Sequence, residues 1–439
     1  MPISSAKVTL AALVVAIGLM SVTGPEIDRP DNSDQTVVSF AFWGAYTDWE
    51  MIREIVDAFE AKNPDIWIKM KYIPANYGDV IQLMFSSDIA PDVFMMEDEP
   101  IPTFAAYGKF ADLTRFVHRD GSAIDWESGF WPTAAESFEY GGEILGIPTW
   151  GGNNLVYYNR RMFRDLGVPF PDDDWTMEDF LDTCKALTRD VDGDGELDTY
   201  GFVLPSFWVY FLPFTWSMGA SYLNADFTDW AFCGPAALDA TRLYQDLRFT
   251  YHVAPTPTCA APDIQLQMEG AMFSVDKIGM QTSGSWSCGA LQDAGVDFDV
   301  AHIPRGADGR RYTRVTWDGL CMFHRCPHPV EAWRFIEFVA SQEAQEIVGR
   351  RTRSIPALKS AAPSFTQPDN GWAEEKFVEA MDYARLQPIT REFIRMHEVM
   401  DAVYSKLLVN RVTPEEAVAA MDEGMHNGRD PIFPLRETQ

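Results

Sequence analysis

An acidic segment of the chain, DVDGDGELD, has the spacing of a calcium-binding loop. Its carboxylates fall at positions 1, 3, 5, 7 and 9 of an EF-hand-like loop, with glycine at position 6 for the sharp turn. These residues are Asp190, Asp192, Asp194, Glu196 and Asp198. The twelfth position, which in an EF-hand carries a bidentate Glu, is Gly201. Two interpretations are therefore open: a structural calcium ion with a ligand from elsewhere, or an Asx turn of similar sequence.

Cysteine and histidine side chains form a second group with the residue types of a metal site, here zinc. The group consists of Cys321, His324, Cys326 and His328. Its spacings match no familiar zinc module, so we do not expect zinc there. The other cysteines are Cys184, Cys233, Cys259 and Cys288. An even number permits disulfides in an exported protein, and buried free thiols are the alternative.

Catalytic motifs are not recognisable in the sequence. It contains no nucleophile elbow, phosphate-binding loop or dinucleotide fingerprint. Pairs of carboxylates could serve a glycosidase, but no pair stands out. We therefore expect that the protein is not an enzyme.

Composition and charge narrow the functional class further. The chain has 439 residues, 46% of them hydrophobic and 23% charged, which is typical of a folded globular protein of two or three domains. With 35 basic and 65 acidic residues, its formal charge is −30. A polyanion would be repelled by such a field, so nucleic acid is not an expected partner. The aromatic share of 13%, including 14 Trp, is high.

The N-terminal segment, residues 1–30, has the layout of a secretory signal peptide. Lys7 precedes an apolar run over residues 8–20. Pro25 follows the small residues that would form the cleavage site, so an uncleaved membrane anchor is the alternative. In both cases the protein is expected to be exported to the periplasm.

Hydrophobic periodicity predicts alternating strands and helices. Residues 35–42, 66–73 and 91–96 are typical of strands, separated by helical patterns at residues 49–59 and 80–85. This order indicates a mostly parallel sheet, in which ligands bind beyond the carboxyl ends of the strands. Further along, the pattern predicts extended segments at residues 144–158 and 298–303, and helices at 175–188 and 329–341.

The order of motifs resembles the extracellular solute-binding proteins of sugar-importing ABC transporters, the group that includes maltose-binding protein. The resemblance extends from about residue 35 to about residue 414. The motifs are FWG at 42–44, APDVF at 90–94, GIP at 146–148, LVYYN at 155–159, WTMEDF at 175–180, GSW at 284–286 and PVEAWRFI at 329–336.

The resemblance implies an α/β fold of two lobes with a ligand cleft between them. Lobe 1 would comprise residues 36–149 and 319–360, and lobe 2 residues 150–317 and 361–439. It also implies a monomer that requires no cofactor and delivers its ligand to the permease subunits of an ABC importer.

A site for a neutral sugar combines flat aromatic side chains for the ring face with carboxylates, amides or Arg for the hydroxyls. At positions that the resemblance places near the cleft, the candidates are Trp43, Tyr46, Glu97, Glu99, Trp150, Asn153, Trp216, Trp286, Trp317, Asp318 and Arg353. Trp286 is the strongest candidate, because the family places an aromatic platform there. Trp208 is the alternative to Trp216.

The expected ligand is a neutral mono- or oligosaccharide, and two rivals remain. A glycerophosphodiester or another anion would require basic residues in the cleft, for which Arg353 and Arg314 are the nominees. A secreted glycoside hydrolase on a two-lobed scaffold would turn its ligand over, with Glu97 or Glu99 as the acid.

Overall fold

The computed structural model describes residues 35–224, 229–256, 270–352, 354–367 and 370–426. Three sequence predictions lie outside the described residues: the leader at residues 1–30, Cys259 and the ligand contact of Arg353. None of the described helices is long and apolar enough to cross a membrane.

The strands follow the predicted order with small differences at their ends. They are β1 Thr36–Phe42, β2 Ile66–Tyr72, β3 Val93–Glu97, β4 Glu139–Tyr140, β5 Glu143–Ile144, β6 Ile147–Asn159, β7 Tyr200–Phe202, β8 Ile278–Gly284, β9 Phe298–Ala301, β10 Thr313–Met322, β11 Ile355–Pro356 and β12 Ala384–Leu386.

The helices lie between these strands and after the last of them. The α-helices are α1 Tyr46–Lys62, α2 Tyr77–Ser86, α3 Ile101–Ala106, α4 Thr114–Val117, α5 Pro132–Ser137, α6 Arg160–Leu166, α7 Met177–Leu187, α8 Leu212–Ser217, α9 Gly234–Phe249, α10 Ser287–Asp293, α11 Pro329–Val339, α12 Gln342–Thr352, α13 Glu375–Glu379, α14 Phe393–Leu407 and α15 Pro414–His426. Short 3₁₀ turns occupy Trp208–Phe211, Lys359–Ser364 and Ala380–Tyr383.

The main sheet has the order β2-β1-β3-β10-β6-β8-β7, with β11 and β9 also paired to β6 and β12 paired to β10. Its first three strands are parallel, as predicted. However, β10 is antiparallel to both β3 and β6, and β6 is antiparallel to β8. The sheet is therefore mixed. Strand β10 comes from a distant part of the chain and lies between β3 and β6.

Two long strands, β6 and β10, connect the two halves of the molecule. The first half of β6 pairs with β10 and β11, and its second half pairs with β8 and β9. All 13 residues of β6 are buried. The lobe limits near residues 150 and 318 stay predictions, and both strands run through those points without interruption.

Hydrophobic packing is divided between two clusters. The larger one surrounds the β1–β3 region, with Phe40, Phe94 and Trp333 in its centre. The second lies under α7, α9, α14 and α15, and contains Phe214 and Tyr244. Two cores joined by shared strands match the two-lobed α/β fold that the sequence predicts.

Capping at the start of α7 corrects one detail of the sequence analysis. The predicted helix over 175–188 begins at Met177, and Thr176 is its N-cap. The Asp179 amide donates to the Thr176 hydroxyl at 3.2 Å, and the Thr176 amide donates to the Asp179 carboxylate at 2.8 Å. This reciprocal capping box, which begins two residues after the aspartate run, fixes where the helix begins.

Candidate functional site

Three side chains stand in register across neighbouring strands at the junction of the two halves. In the sheet Glu97 of β3 pairs with Asp318 of β10, and Asp318 pairs in turn with Trp150 of β6. Directly paired residues of neighbouring strands project to the same face of a sheet. This row (Glu97, Asp318 and Trp150) therefore forms the floor of one face, and two of its members are carboxylates.

Behind the row, a buried polar network holds the segment that follows β3. The Arg314 guanidinium donates to Glu99 at 3.0 Å and also to the Gln387 side chain. Asp98, which is fully buried, accepts hydrogen bonds of 3.0 Å from the Thr316 hydroxyl and from the Trp317 amide. The network fixes the direction in which the acidic segment leaves the strand.

Burial and mutual repulsion alter the protonation of these carboxyl groups. Removal from bulk water, with the charges of Glu99 and Asp98, raises the pKa of Glu97 to about 8. Burial and Glu99 raise the pKa of Asp98 to about 7. Burial, with Glu97 next to it, places the pKa of Asp318 well above its ordinary value. Glu97 keeps an exposed surface at the end of β3, although the surrounding protein withdraws much of the hydration of its carboxyl group, so it can meet a ligand.

Trp286 covers the same face from the other half of the molecule. A β-carbon added to Gly284 would lie 2.2 Å from the indole of Trp286, and one added to Gly152 would lie 2.9 Å from it. The ring therefore lies flat on a surface that only glycine leaves free. It is 41% exposed, which is the state of a platform with one open face.

Tyr210 completes this side of the site, and the sequence analysis did not single it out. Its hydroxyl is hydrogen-bonded to Trp286. The charges of Arg314, Glu99 and Glu97 are close enough to affect its pKa. Burial raises the pKa of Tyr210. The sequence signal for Tyr210 is the aromatic run at residues 207–216, within which the sequence analysis names only the two tryptophans as candidate ligand contacts.

A cavity of about 360 Å³ opens beside Glu97 on the other side of the floor. Trp43 and Tyr77, whose ring centroids are 4.7 Å apart, form its aromatic wall. The Tyr77 hydroxyl donates to the Met95 carbonyl at 2.8 Å, which fixes that ring to β3. Aromatic and carboxylate groups thus line both sides of the junction.

The turn after β1 determines where Trp43 lies. Gly44 has φ of +131°, a conformation that favours glycine, and a β-carbon there would lie 2.6 Å from Asp48. The Asp48 carboxylate accepts from the Ala45 amide at 2.6 Å and so anchors the first turn of α1. The chain is thereby turned from strand into helix immediately after Trp43.

Several predicted ligand contacts lie elsewhere. Trp317 is fully buried and donates to the Thr133 hydroxyl at 3.1 Å, because it projects to the face opposite Asp318. Asn153 is also fully buried, and its amide donates to the Phe377 carbonyl at 2.7 Å. Trp317 thus ties β10 to helix α5, and Asn153 ties β6 to helix α13. Neither residue has exposed surface in this structure, and their ligand contacts stay predictions.

The tryptophans of the aromatic run are part of the second hydrophobic cluster. Trp208 is fully buried and Trp216 is 4% exposed, so neither presents an open ring face in this structure, and the ligand contact of one of them stays a prediction. Trp150 is 7% exposed, and its indole is hydrogen-bonded to Asp318. Trp150 therefore packs within the floor and presents little open surface to a ligand. Tyr46 is exposed and stacks on Trp49 at the start of α1, and it is not one of the residues that line the cavity.

The EF-hand-like loop is exposed and closed by its own hydrogen bonds. Ligand atoms of Asp190, Asp192 and Asp194 lie within 4.8 Å of one another. The Gly193 and Gly195 amides donate to Asp190 at 2.7 and 2.9 Å, and the Asp194 amide donates to Asp192 at 3.1 Å with the spacing of an Asx turn. Asp198 accepts from the Val191 amide at 2.8 Å, and Glu196 is exposed. Calcium binding stays a prediction.

Two further observations bear on the metal and disulfide predictions. A β-carbon at Gly201 would lie 2.3 Å from the Cys184 carbonyl oxygen, so the twelfth loop position has no room for a Glu. The five cysteines in the described part of the chain are free. Within that part, the Asp triplet is the one group of three or more ligand residues that lie close enough together to hold a metal ion. The Cys and His residues at 321–328 do not form such a group.

Comparisons with known proteins agree with this architecture. The model of the family described as "Bacterial extracellular solute-binding protein" matches residues 54–377. A putative binding protein of Brucella abortus is 25% identical over 70% of this chain and 73% of its own length. A maltooligosaccharide ABC transporter solute-binding lipoprotein of Streptococcus pneumoniae is 23% identical over 99% of this chain and 97% of its own.

Solved structures share the fold over most of the chain. An ABC substrate-binding protein of Listeria monocytogenes, in complex with cycloalternan, superposes with a TM-score of 0.78 at 25% identity, covering 89% of this chain and 98% of its own. The maltose/maltodextrin-binding domain of Bdellovibrio bacteriovorus, bound to maltotriose, gives a TM-score of 0.71 at 21% identity over 89% of this chain and 98% of its own.

Proposed function

The chain belongs to the bacterial extracellular solute-binding proteins, and on that basis we propose that it captures a neutral saccharide for an ABC importer. The ligand would bind between the two halves of the molecule and favour the conformation that contacts it from both sides. A membrane permease would then receive it. Relatives named for maltooligosaccharide and galactooligosaccharide binding support a sugar as the ligand class.

The observation that carries the proposal is the pairing of an open aromatic platform with solvent-accessible carboxylate. Trp286 presents one ring face, and Glu97 and Asp318 lie on the same face of the sheet. An aromatic face suits the C–H side of a sugar ring, and carboxylates accept hydrogen bonds from its hydroxyls. Both features are needed for a neutral saccharide.

The electrostatics of the site favour a neutral ligand over an anion. Arg314, one of the two predicted contacts for an anion, forms an ion pair with Glu99 and is almost fully buried. Glu97, Asp98 and Glu99 lie near this guanidinium, and burial, followed by repulsion between the carboxyl groups, raises the pKa of Glu97 and Asp98. A phosphodiester would find the Arg314 guanidinium already paired with Glu99 and buried.

The proposal includes binding without turnover, action as a monomer, and a location in the periplasm after export. The family's extracellular character and the lipoprotein relatives support export. The membrane permease is the macromolecular partner in this scheme.

Isothermal titration calorimetry against neutral mono- and oligosaccharides, polyols and glycerophosphodiesters tests the proposal. We expect one-to-one binding of a neutral saccharide at micromolar affinity or tighter, with no product by chromatography. In Trp286→Ala the affinity should fall about ten-fold or more, because the platform contributes both apolar area and aromatic contact. Tyr107→Ala, which removes an exposed aromatic outside the site, is the matched control.

The other outcomes are equally informative. Binding of phosphodiesters alone would replace the neutral ligand with an anion. Release of shortened sugars would establish a hydrolase, with Glu97 as the first acid to replace. Unchanged affinity in Trp286→Ala would show that the site is placed wrongly.

A further inference from the structure

A guanidinium stands on the same face of the sheet as the row that forms the floor. Arg314 and Asp318 both belong to β10 and are four residues apart, so their side chains project to the same face. Between them, Thr316 pairs with Gly152, the glycine that lies against the Trp286 indole. The floor therefore contains a cation, and a cation in a ligand site attracts carboxylates and phosphates.

Glu99 neutralises this cation from the segment after β3. Its carboxylate accepts a hydrogen bond of 3.0 Å from the Arg314 guanidinium, and the same oxygen accepts one from the Gln387 amide. Gln387 in turn accepts from Arg314, so the three side chains form a closed ring of hydrogen bonds. The Arg314 side chain is 6% exposed and that of Glu99 is 16% exposed. A ligand that arrives from solvent therefore meets more of Glu99 than of Arg314.

Tyr210 locates this ion pair beside the aromatic platform. Its hydroxyl is hydrogen-bonded to Trp286, and after burial, which raises the pKa of Tyr210, the charge with the largest effect on that pKa is Arg314. Burial and nearby carboxylates raise the pKa of Glu97, and Arg314 opposes that rise. The guanidinium is thus within electrostatic reach of both parts of the site, the Trp286 side and Glu97. An anion on the floor would be attracted to it if it had no counter-ion.

We propose that Glu99 is a specificity-determining residue: it serves as an internal counter-ion for Arg314, occupies the place that a ligand carboxylate would take, and thereby excludes acidic saccharides. This inference rests on the proposed function and adds the charge selectivity of the same site. To reach the guanidinium, a ligand carboxylate would have to displace Glu99 and leave it without a cation in a mostly buried position, which is unfavourable. A neutral saccharide can donate its hydroxyls to the carboxylate oxygens while the ion pair stays closed.

Gln387 makes the counter-ion difficult to displace. It is fully buried, and a side-chain amide suits this position because it accepts from the guanidinium and donates to the carboxylate at the same time. An ion pair on an exposed surface opens at little cost, but this pair is held by a third side chain in a fixed position. The exclusion of anions is therefore a property of the folded chain before any ligand arrives.

Two variants of Glu99 separate its charge from its volume. Glu99→Ala removes the carboxylate and leaves space beside Arg314, whereas Glu99→Gln removes the charge and retains an oxygen that can accept from Arg314. The Gln variant should therefore fold even where the Ala variant is unstable. Glu127→Ala, which removes an exposed carboxylate outside the site, is the matched control. The double variant Glu99→Ala with Arg314→Met shows whether an effect depends on the guanidinium.

The first measurement is a chemical rescue that does not require the natural ligand. Sodium acetate supplies a carboxylate small enough to replace the missing side chain, and sodium chloride at the same ionic strength is the reference. By scanning fluorimetry, we expect acetate to raise the melting temperature of Glu99→Ala by at least a few degrees more than chloride does. Wild type, Glu127→Ala and the double variant should show only the small difference that the two salts cause in any protein.

The second measurement is calorimetry with neutral and acidic partners, glucose with glucuronate and galactose with galacturonate, at about pH 7.5, where uronates are ionised. We expect wild type to bind the neutral member of a pair at least ten-fold more tightly than the acid. Glu99→Ala should reduce that ratio ten-fold or more, Glu99→Gln should reduce it by a smaller factor, and the double variant should restore it. A purely structural role of Glu99 would weaken the binding of both members alike and leave the ratio unchanged.

The outcomes that overturn the inference leave the proposed function in place. Wild-type protein that binds uronates as tightly as neutral sugars would overturn it, and so would a ratio that both Glu99 variants leave unchanged. If neither pair of monosaccharides binds, the rescue decides: a Glu99→Ala protein that acetate does not stabilise beyond chloride would overturn the inference. Only the absence of binding by every neutral saccharide of the wider panel would remove the proposed function as well.

Discussion

Among single residues, Glu97 couples the stability of the protein to pH. Its pKa of about 8 in the folded chain exceeds its ordinary value of 4.5, so between these values the folded state holds a proton that the unfolded state has lost. Because the folded state binds more protons, the free energy of unfolding falls as pH rises through this interval. Asp98 and Asp318 contribute in the same direction.

We therefore expect the melting temperature of the wild-type protein to decrease from about pH 6.5 to 8.5, and to decrease less in Glu97→Gln. The glutamine amide carries no charge at any pH in this interval, so it also removes the repulsion between residue 97 and the neighbouring carboxyl groups. His302, whose pKa is lowered to about 4 by burial and nearby cations, affects stability only below its ordinary value of 6.5 and so does not interfere. Differential scanning fluorimetry across the interval, with Glu127→Gln as an exposed control, makes the measurement. Parallel profiles for Glu97→Gln and wild type would contradict the expectation.

Arg314 is the counter-ion of the acidic segment, and its removal should be costly. Arg314→Met leaves Glu99 without its guanidinium and removes the bond to Gln387. Breaking a buried ion pair in this way costs about 3–5 kcal/mol of unfolding free energy. Urea denaturation measures the change. The double variant Arg314→Met with Glu99→Leu should lose less than the single one, because no carboxylate is then left unpaired; a larger loss would mean that the pair is not the reason.

Alternation along a strand explains why Trp317 does not share the face of its neighbour Asp318. Trp317 and Asp318 are consecutive in β10, so one must face the floor and the other the core. The sequence alone could have excluded placing both in the site, but could not have chosen between them. Choosing Asp318 requires knowing that Glu97 and Trp150 are its partners, which is long-range information. The same limitation explains why Tyr210 was missed within a run of aromatics.

Among the elements, strand β8 and the turn after it determine the orientation of Trp286. Gly284→Ala places a β-carbon where the indole now lies, at 2.2 Å. Since the ring is partly exposed, it can move away without disrupting the core. We expect Gly284→Ala to weaken saccharide binding to about the level of Trp286→Ala, with little change in melting temperature.

Calorimetry and fluorimetry on the same samples separate these two effects. Gly289→Ala in helix α10 is the control, because a β-carbon there meets nothing within 4 Å. If Gly284→Ala bound the saccharide as tightly as wild type, the indole would not need its present position for binding.

Element prediction succeeded where local pattern determines structure. Helix α11 and strand β1 have strong apolar periodicity and agree with their predicted ranges within two residues at each end. The insertion of antiparallel β10 between β3 and β6 could not be predicted in this way. It depends on pairing between segments more than 150 residues apart, for which the residue pattern has no signal. The resemblance to a family provided the two-lobed arrangement instead.

For the molecule as a whole, the formal charge of −30 sets a general electrostatic cost of folding. Ion pairs such as Arg334–Asp65 and Arg53–Asp57 offset part of it, but acidic residues outnumber basic ones by 65 to 35. Salt screens attraction and repulsion alike, with a Debye length that shrinks from about 30 Å at 0.01 M to about 3 Å at 1 M. Because repulsion dominates, screening should stabilise the folded chain.

We therefore expect the melting temperature at neutral pH to rise between low and moderate NaCl concentration, most steeply at the low end. Repeating the titration near pH 5, where carboxylates begin to bind protons and the net charge is smaller, should give a shallower rise. Scanning fluorimetry with NaCl as the only variable measures both slopes. A melting temperature that falls with salt at neutral pH would mean that the surface ion pairs outweigh the excess of negative charge. Equal slopes at the two pH values would assign the effect to the salt's action on apolar hydration instead.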